Sequence, residues 1–220
     1  MIVNNIITGI IAVVIGYLLG SIPFAYVFTR LAAGKDIQKV IAGNIGARNT
    51  FVNIGKMAGI ATGFLDIVKG LASVTIAWLL LNSPSLSHVG LSVYFIMAAG
   101  LAAVAGHIWS LYIKFKGGNG LATAFGVLLF VLPWEILIAV CITLLFWAVT
   151  RNVILSLNLS LLSIPVTAWI FIHSWVYIAY PLIIVALMLI HFGPVIAAEI
   201  HGASSSRELF SDLFRIRKNS

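Results

Sequence analysis

The sequence predicts an all-α fold: a polytopic integral membrane protein of about seven transmembrane helices, N-terminus out and C-terminus in. Three observations carry this reading. Of 220 residues, 61% are hydrophobic and 9% are charged, and the mean hydropathy is +1.12, against roughly 25% charged residues in a soluble domain. Apolar stretches recur at or near the length of about 20 residues that crosses a bilayer. Lys and Arg gather in particular loops, as they do on the cytoplasmic side of a membrane.

The elements follow in order. Ile6 to Phe28 is a first span; it lacks a preceding basic region and is too long for the apolar part of a cleaved signal, so it reads as retained. Ser21-Ile22-Pro23 within it predicts a kink whose freed backbone groups are satisfied locally. The next segment carries Arg30, Lys35, Lys39, Arg48 and Lys56 and is therefore placed inside. Met57 to Leu81 leads to Asn82–His88, which has no Lys, Arg, Asp or Glu, as an external loop should. Val89 to Ile113 then returns to a loop with Lys114 and Lys116.

Leu121 to Val149 is apolar but interrupted by Pro133-Trp134-Glu135. As one span it would put Arg151 and the tail residues Arg207, Arg215, Arg217 and Lys218 outside; as two it puts both groups inside. Two short helices, tilted or partly re-entrant, are therefore expected. Leu155 to Ile172 and Val176 to Phe192 complete the set. With no internal repeat or low-complexity linker, residues 1–201 read as one integral membrane domain and residues 202–220 as a polar cytoplasmic tail.

The formal net charge of +7, gathered on one side, suits an anionic leaflet of membrane lipids or an anionic substrate. Nucleic acid is excluded as a partner, since no basic soluble domain offers interleaved aromatics for base stacking. The single Cys141 lies in an apolar span, without a second Cys for a disulfide or a paired His for structural zinc.

Lys114-Phe115-Lys116-Gly117-Gly118-Asn119-Gly120-Leu121-Ala122-Thr123 is the most distinctive polar segment. Gly117, Gly118 and Gly120 let backbone approach an anion closely, and the N–H groups of such a turn and the helix start after it form an anion cradle. The alternative is a basic turn of the ordinary cytoplasmic kind. A second cluster, Gly43-Asn44-Ile45-Gly46-Ala47-Arg48-Asn49, falls on the same side. Its asparagines supply neutral donors and acceptors and Arg48 a bidentate fork for phosphate or carboxylate, or the Gly and Asn residues simply make turns.

Asp66 and Lys69 stand three apart in an apolar run, on one helical face where they can pair. Intramembrane charges are costly and face the bundle interior, either as a structural pair or in a functional site. His107 and His191 lie near the cytoplasmic ends of the third and last spans, to meet substrate or to hydrogen-bond within the bundle.

In order and spacing, Gly20-Ser21-Ile22-Pro23, Asp36-Ile37, Gly43 to Asn49, Asp66-Ile67-Val68-Lys69-Gly70, Gly106-His107, Phe115 to Thr123 and His191 resemble the bacterial acyl-phosphate:glycerol-3-phosphate acyltransferases, the PlsY family. The resemblance implies acyl transfer from acyl phosphate to the sn-1 hydroxyl of glycerol 3-phosphate, giving lysophosphatidate and phosphate at the cytoplasmic face of the bacterial cell membrane. It implies His107 and His191 as proton-transfer residues, and Ser21, Asn44, Arg48, Asn49, Lys116, Gly117, Gly118, Asn119, Gly120 and Thr123 as substrate-binding ones. Asp66 and Lys69 would support the site. Positioning and charge stabilisation suffice for an activated mixed anhydride, so the scheme needs no metal or cofactor.

The chain also departs from the family pattern. Ala42 stands where the family usually has Ser, Arg48 where it has Thr or Ser, and Val52 where it has Arg. Asn119 replaces the Lys of the glycine-rich signature, Pro194 the usual Asn, and Ala203 an acidic residue. A catalytically impaired homologue that still binds substrate or lipid would carry these changes together. A small-molecule transporter would also have many spans and polar loops, but no inverted repeat or matched pair of broken spans supports one.

Overall fold

The computed structural model describes residues 2–34, 45–82, 89–151 and 153–202, all of whose regular structure is helical. The chain divides into two compact units, Met1–Val131 and Leu132–Ser220. The first contains α1 (Ile2–Ser21), α2 (Phe24–Ala33), α3 (Ala47–Asn53), α4 (Lys56–Leu81), α5 (Val89–Ile108), a single 3-10 turn (Leu111–Ile113) and α6 (Leu121–Val131). The second contains α7 (Pro133–Thr150), α8 (Val153–Leu161), α9 (Ser163–Ile172) and α10 (Trp175–Gly202).

Burial is arranged as lipid solvent requires. Ile10, Val14, Phe64, Leu145 and Val149 are all more than half exposed, whereas Ser21, Thr62, Ser73 and Thr123 are fully buried. Apolar side chains face outward and hydroxyls inward, because lipid rewards no sequestering of hydrocarbon while an unsatisfied polar group in it is expensive. Among the described residues, four apolar helical segments are long enough to cross a membrane, Asn5–Ala33, Lys56–Leu81, Gly90–Ile113 and Pro133–Thr150; three shorter ones are Leu121–Val131, Leu159–Ile172 and Trp175–His191.

The kink expected in the first span is present between α1 and α2. Pro23 has no N–H to offer the Leu19 carbonyl and its ring crowds that group; Ile22 N–H donates to Leu19 O instead, at 3.2 Å. The carbonyls at the break are satisfied from afar as well as locally: Lys69 Nζ donates to Ile22 O at 2.9 Å, and Ser110 Oγ donates to Ser21 O. α2 ends at Gly34, whose φ of 64° lets its N–H turn back to Arg30 O.

α1 lies against α5 at backbone distance. A Cβ on Gly20 would collide with the carbonyl of Ala103, and one on Gly106 with Tyr17 O and Ser21. α4 and α6 approach in the same way, Gly126 facing the Ile67 carbonyl. Small residues permit the close dispersion contact that drives helix association in lipid, and here they bring α1 against α5 and α4 against α6.

The apolar stretch from Leu121 breaks where Pro133 stands, at the first position of α7. α7 has 18 residues and α6 only 11. At about 1.5 Å per residue α6 is about 17 Å long, shorter than the roughly 30 Å hydrocarbon core. The stretch Leu155 to Ile172, expected as one span, is instead two helices broken at Leu162. Pro165 has no N–H for the Leu161 carbonyl, and Ser163 Oγ caps the break by donating to Ser160 O at 2.6 Å. Within the second unit a hydroxyl ladder links α7 to α8, with Thr143 Oγ1 donating to Ser160 Oγ at 2.6 Å and Thr150 Oγ1 3.2 Å from Ser156 Oγ.

Candidate active site

The helix break at Ile22-Pro23 opens one wall of a cleft in the first unit. Ser21, Ile22, Pro23, Phe24 and Ala25 line it from the α1–α2 break, Asp66 and Lys69 from α4, His107 from α5, and Ser110, Ile113, Gly117 and Gly118 from the segment before α6, with Ile45 beside them. One side is polar and charged. The other is apolar, where Ala25, Ile45 and Ile113 pack together with Tyr26.

The charged floor is a connected cluster. Asp66 Oδ1 and Lys69 Nζ are 2.9 Å apart, both side chains almost wholly buried; the spacing of three that sets them on one face does bring them together. Lys69 also donates to Ile22 O and lies 5.8 Å from the Phe24 ring centroid. His107 Nδ1 is 3.1 Å from Thr123 Oγ1 and 3.6 Å from Asp66 Oδ1. The first is hydrogen-bond distance and the second is an electrostatic contact. The Nε2 side of the ring lies against Gly118, where a Cβ would strike it.

The glycine-rich loop wraps over this histidine. Lys114 and Phe115 adopt left-handed φ values of 57° and 59°, and Phe115 N–H donates to Ser110 O at 2.8 Å, which reverses the chain. Gly117 and Gly118 then pass so close to the His107, Ile108 and Ile45 carbonyls that neither has room for a Cβ. Gly118 N–H donates to His107 O at 3.1 Å. That amide is therefore spent within the protein, and Gly118 contributes close passage of the backbone. Gly120, at φ 80°, sets the entry to α6, whose first i to i+4 bond runs from Ala124 N–H to Gly120 O.

Of the residues singled out in the sequence, Ser21, Asp66, Lys69, His107, Gly117 and Gly118 share the cleft. The Ser21 hydroxyl is buried there with no hydrogen-bond partner among the described residues. Thr123 is fully buried against His107, behind the lining. Lys116 is exposed and Asn119 half-buried. Arg48 is exposed and Asn49 half-buried on α3, neither lining the cleft. Asn44 lies outside the described residues, and His191 is half-buried on α10 in the second unit. Sequence reasoning missed Ser110 and the Ile22 carbonyl. Ser110 stands three residues after His107, which was the available signal; the carbonyl had none beyond Pro23.

A neutral Asp66–Lys69 pair beside a histidine can hold an anion without carrying a large resting charge, and can stabilise positive charge when the imidazole takes a proton. The apolar wall meets it within one opening, so the cleft suits a molecule with a charged group and a hydrocarbon part.

The sequence model of the family described as glycerol-3-phosphate acyltransferase matches residues 10–202. Glycerol-3-phosphate acyltransferase 1 of Dehalococcoides mccartyi is 39% identical over 168 residues, covering 74% of this chain and 77% of that protein. The Nitrobacter winogradskyi glycerol-3-phosphate acyltransferase is 40% identical over 184 residues, covering 83% and 88%. The crystal structure of PlsY, described as an integral membrane glycerol 3-phosphate acyltransferase in its glycerol 3-phosphate form, superposes with a TM-score of 0.72 at 29% identity, over 94% of this chain and 99% of that one. Its lysophosphatidic acid form gives 0.68 at 28% identity. An all-helical chain with an apolar exterior, a charged inner cleft and these relatives is an integral membrane protein, and it belongs to the glycerol-3-phosphate acyltransferase family.

Proposed function

We propose that this protein transfers an acyl chain from acyl phosphate to the sn-1 hydroxyl of glycerol 3-phosphate, releasing lysophosphatidate for phospholipid biosynthesis and inorganic phosphate. The observation that carries the reading is the cleft in which Asp66, Lys69, His107 and the Gly117-Gly118 turn meet an apolar wall. The names of its relatives, and the two ligand forms of PlsY, support the acceptor and the product.

In this scheme the backbone at Gly117 and Gly120, the start of α6 and Lys116 hold phosphate, since a helix N-terminus favours an anion. Ser21 offers its buried hydroxyl to substrate, Asn44, Asn49 and Asn119 orient the acceptor, and Arg48, exposed on α3, is the candidate for the charge that Asn119 lacks. His107 assists proton transfer. Gly118 lets the loop pass His107, Thr123 steadies the ring, and Asp66 and Lys69 support both.

The protein works in the bacterial cell membrane with seven membrane-embedded helices, N-terminus out, and its active face cytoplasmic, as the loop charges imply. Residues 1–201 form the integral domain and residues 202–220 a cytoplasmic tail. The second reading, a substrate-binding homologue with impaired catalysis, rests on Ala42, Val52, Asn119 and Pro194. Purified protein assayed with glycerol 3-phosphate and acyl phosphate, acyl-CoA or acyl carrier protein thioester decides between them: transfer from acyl phosphate supports the enzyme, and binding without transfer from any donor supports the second reading.

A further inference from the structure

We infer that the stretch from Leu111 to Phe115 is a docking surface for anionic phospholipid of the surrounding bilayer, with Tyr112 and Phe115 set among the headgroups and Lys114 on a lipid phosphate. The surface lies outside the cleft and holds whether or not the protein transfers acyl groups.

Its position comes from the span that precedes it. The membrane-crossing segment Gly90–Ile113 ends within this stretch, so the side chains here stand where hydrocarbon gives way to water. Tyr112 is 56% and Phe115 58% exposed, and Leu111, Lys114 and Lys116 are exposed beside them. Aromatic residues such as tyrosine are enriched at that depth, and lysines there lay their stems along apolar surface and leave the ammonium at the headgroups.

The backbone supplies a second observation. Lys114 and Phe115 are consecutive left-handed residues, at φ 57° and 59°. That region is uncommon for residues other than glycine, and among the rest it favours Asn and Asp. A reversal needed only to turn the chain is met with least strain by Gly or Asn. Here two large, exposed side chains occupy it, and the turn is fixed by Phe115 N–H donating to Ser110 O at 2.8 Å and Lys116 N–H to Ile113 O at 3.2 Å. The strain keeps an aromatic residue between two lysines at the surface.

Charge selects the lipid. α1 and α5 run parallel, with Gly9 against Phe95, Gly16 against Ala99 and Gly20 against Ala103. The spans Asn5–Ala33 and Gly90–Ile113 therefore leave the membrane on one side, and Arg30, exposed near the end of the first, adds its charge there. Among the described residues of the first unit the one acidic side chain is Asp66, buried against Lys69. None of those residues offsets Arg30, Lys114 and Lys116 at this surface. An anionic phospholipid supplies the complementary charge together with hydrocarbon for Leu111 and Phe115, where a zwitterionic one brings no net charge.

The test uses full-length protein in nanodiscs of phosphatidylcholine and phosphatidylglycerol in equal amounts. Native mass spectrometry of the released protein should find phosphatidylglycerol retained in preference. Lys114→Gln should weaken that preference about fivefold, the worth of one basic residue at a membrane surface, while Lys114→Arg keeps it. Lys114→Asn, which suits the left-handed backbone, replaces the glutamine variant if that one fails to fold. Added glycerol 3-phosphate should leave the lipid in place; its displacement would assign these charges to the substrate and overturn the inference.

Depth is read separately. A fluorophore on Tyr112→Cys, with Cys141→Ala to remove the exposed native thiol, should be quenched by lipid brominated near the headgroup and shielded from aqueous iodide. Phe115→Asn, which keeps the left-handed turn, should increase the iodide quenching. Equal retention of the two lipids by the wild type overturns the inference. So does an unchanged preference in the neutral Lys114 variant, quenching of the label by iodide alone, or iodide quenching that Phe115→Asn leaves as it was.

Discussion

Lys69 Nζ donates to the carbonyl of Ile22 at 2.9 Å, joining the middle of α4 to the break between α1 and α2 across 47 residues of sequence. The same ammonium pairs with Asp66, so one side chain ties the helix break to the carboxylate that faces His107. A lysine buried in a membrane protein is tolerated because both partners are in place at once.

Removing one partner should therefore be far worse than removing both. Lys69→Met leaves Asp66 as an uncompensated buried charge and should cost about 3–5 kcal/mol. The Asp66→Asn, Lys69→Met double variant should be closer to wild type in thermal unfolding, while still losing transfer activity. Equal destabilisation in single and double variants would show that the pair is not coupled as the 2.9 Å contact implies.

Gly118→Ala tests the loop. A Cβ there would meet the Ile45 carbonyl and His107 Nε2, so either the loop or the ring must shift. Misplacement of about 1 Å can cost on the order of 10²-fold in rate. Kinetics of purified Gly118→Ala should show that loss mainly in kcat with the protein still inserted, and unchanged kcat would free Gly118 from any role at His107.

Much of this arrangement was legible because its signals are local. Pro23 and Pro133 each remove an N–H and break a helix where they stand, and Asp66 and Lys69 share a face by helical spacing alone. Pro165 carried the same local signal, yet the stretch around it is uniformly apolar and read as one span, whereas it breaks at Leu162. What could not be read are contacts between distant segments. Nothing local says that Asp66 meets His107, that Thr123 stands behind the ring, or that the Gly118 amide is taken by the His107 carbonyl. These depend on glycines such as Gly20, Gly106 and Gly126 that let helices touch at their backbones.

Topology follows from the placement of Lys and Arg. Reporters fused after Gly55, Lys116 and Ser220 should be cytoplasmic, and one after Ser83 external. An external Ser220 would require an odd number of crossings fewer or more than proposed, and would place Arg151 and the tail on the wrong side.

The last prediction concerns Asn119, half-buried in the glycine-rich loop where the family pattern has lysine, and Arg48, exposed on α3. If the site lacks a phosphate-binding charge, Asn119→Lys should raise transfer from acyl phosphate, since a charge-assisted hydrogen bond is roughly twice as strong as a neutral one. If Arg48 already supplies that charge, the added lysine brings like charges together and activity should fall, while Arg48→Ala alone should be severely impaired. Exposure of Arg48 away from the cleft lining favours the first outcome. Rates for wild type, both single variants and the double variant separate the two through their coupling: independent effects place the residues in different sites, and a strong interaction places them on one phosphate. Should none of the four transfer acyl groups although each is folded and binds glycerol 3-phosphate, the enzyme reading gives way to the binding homologue.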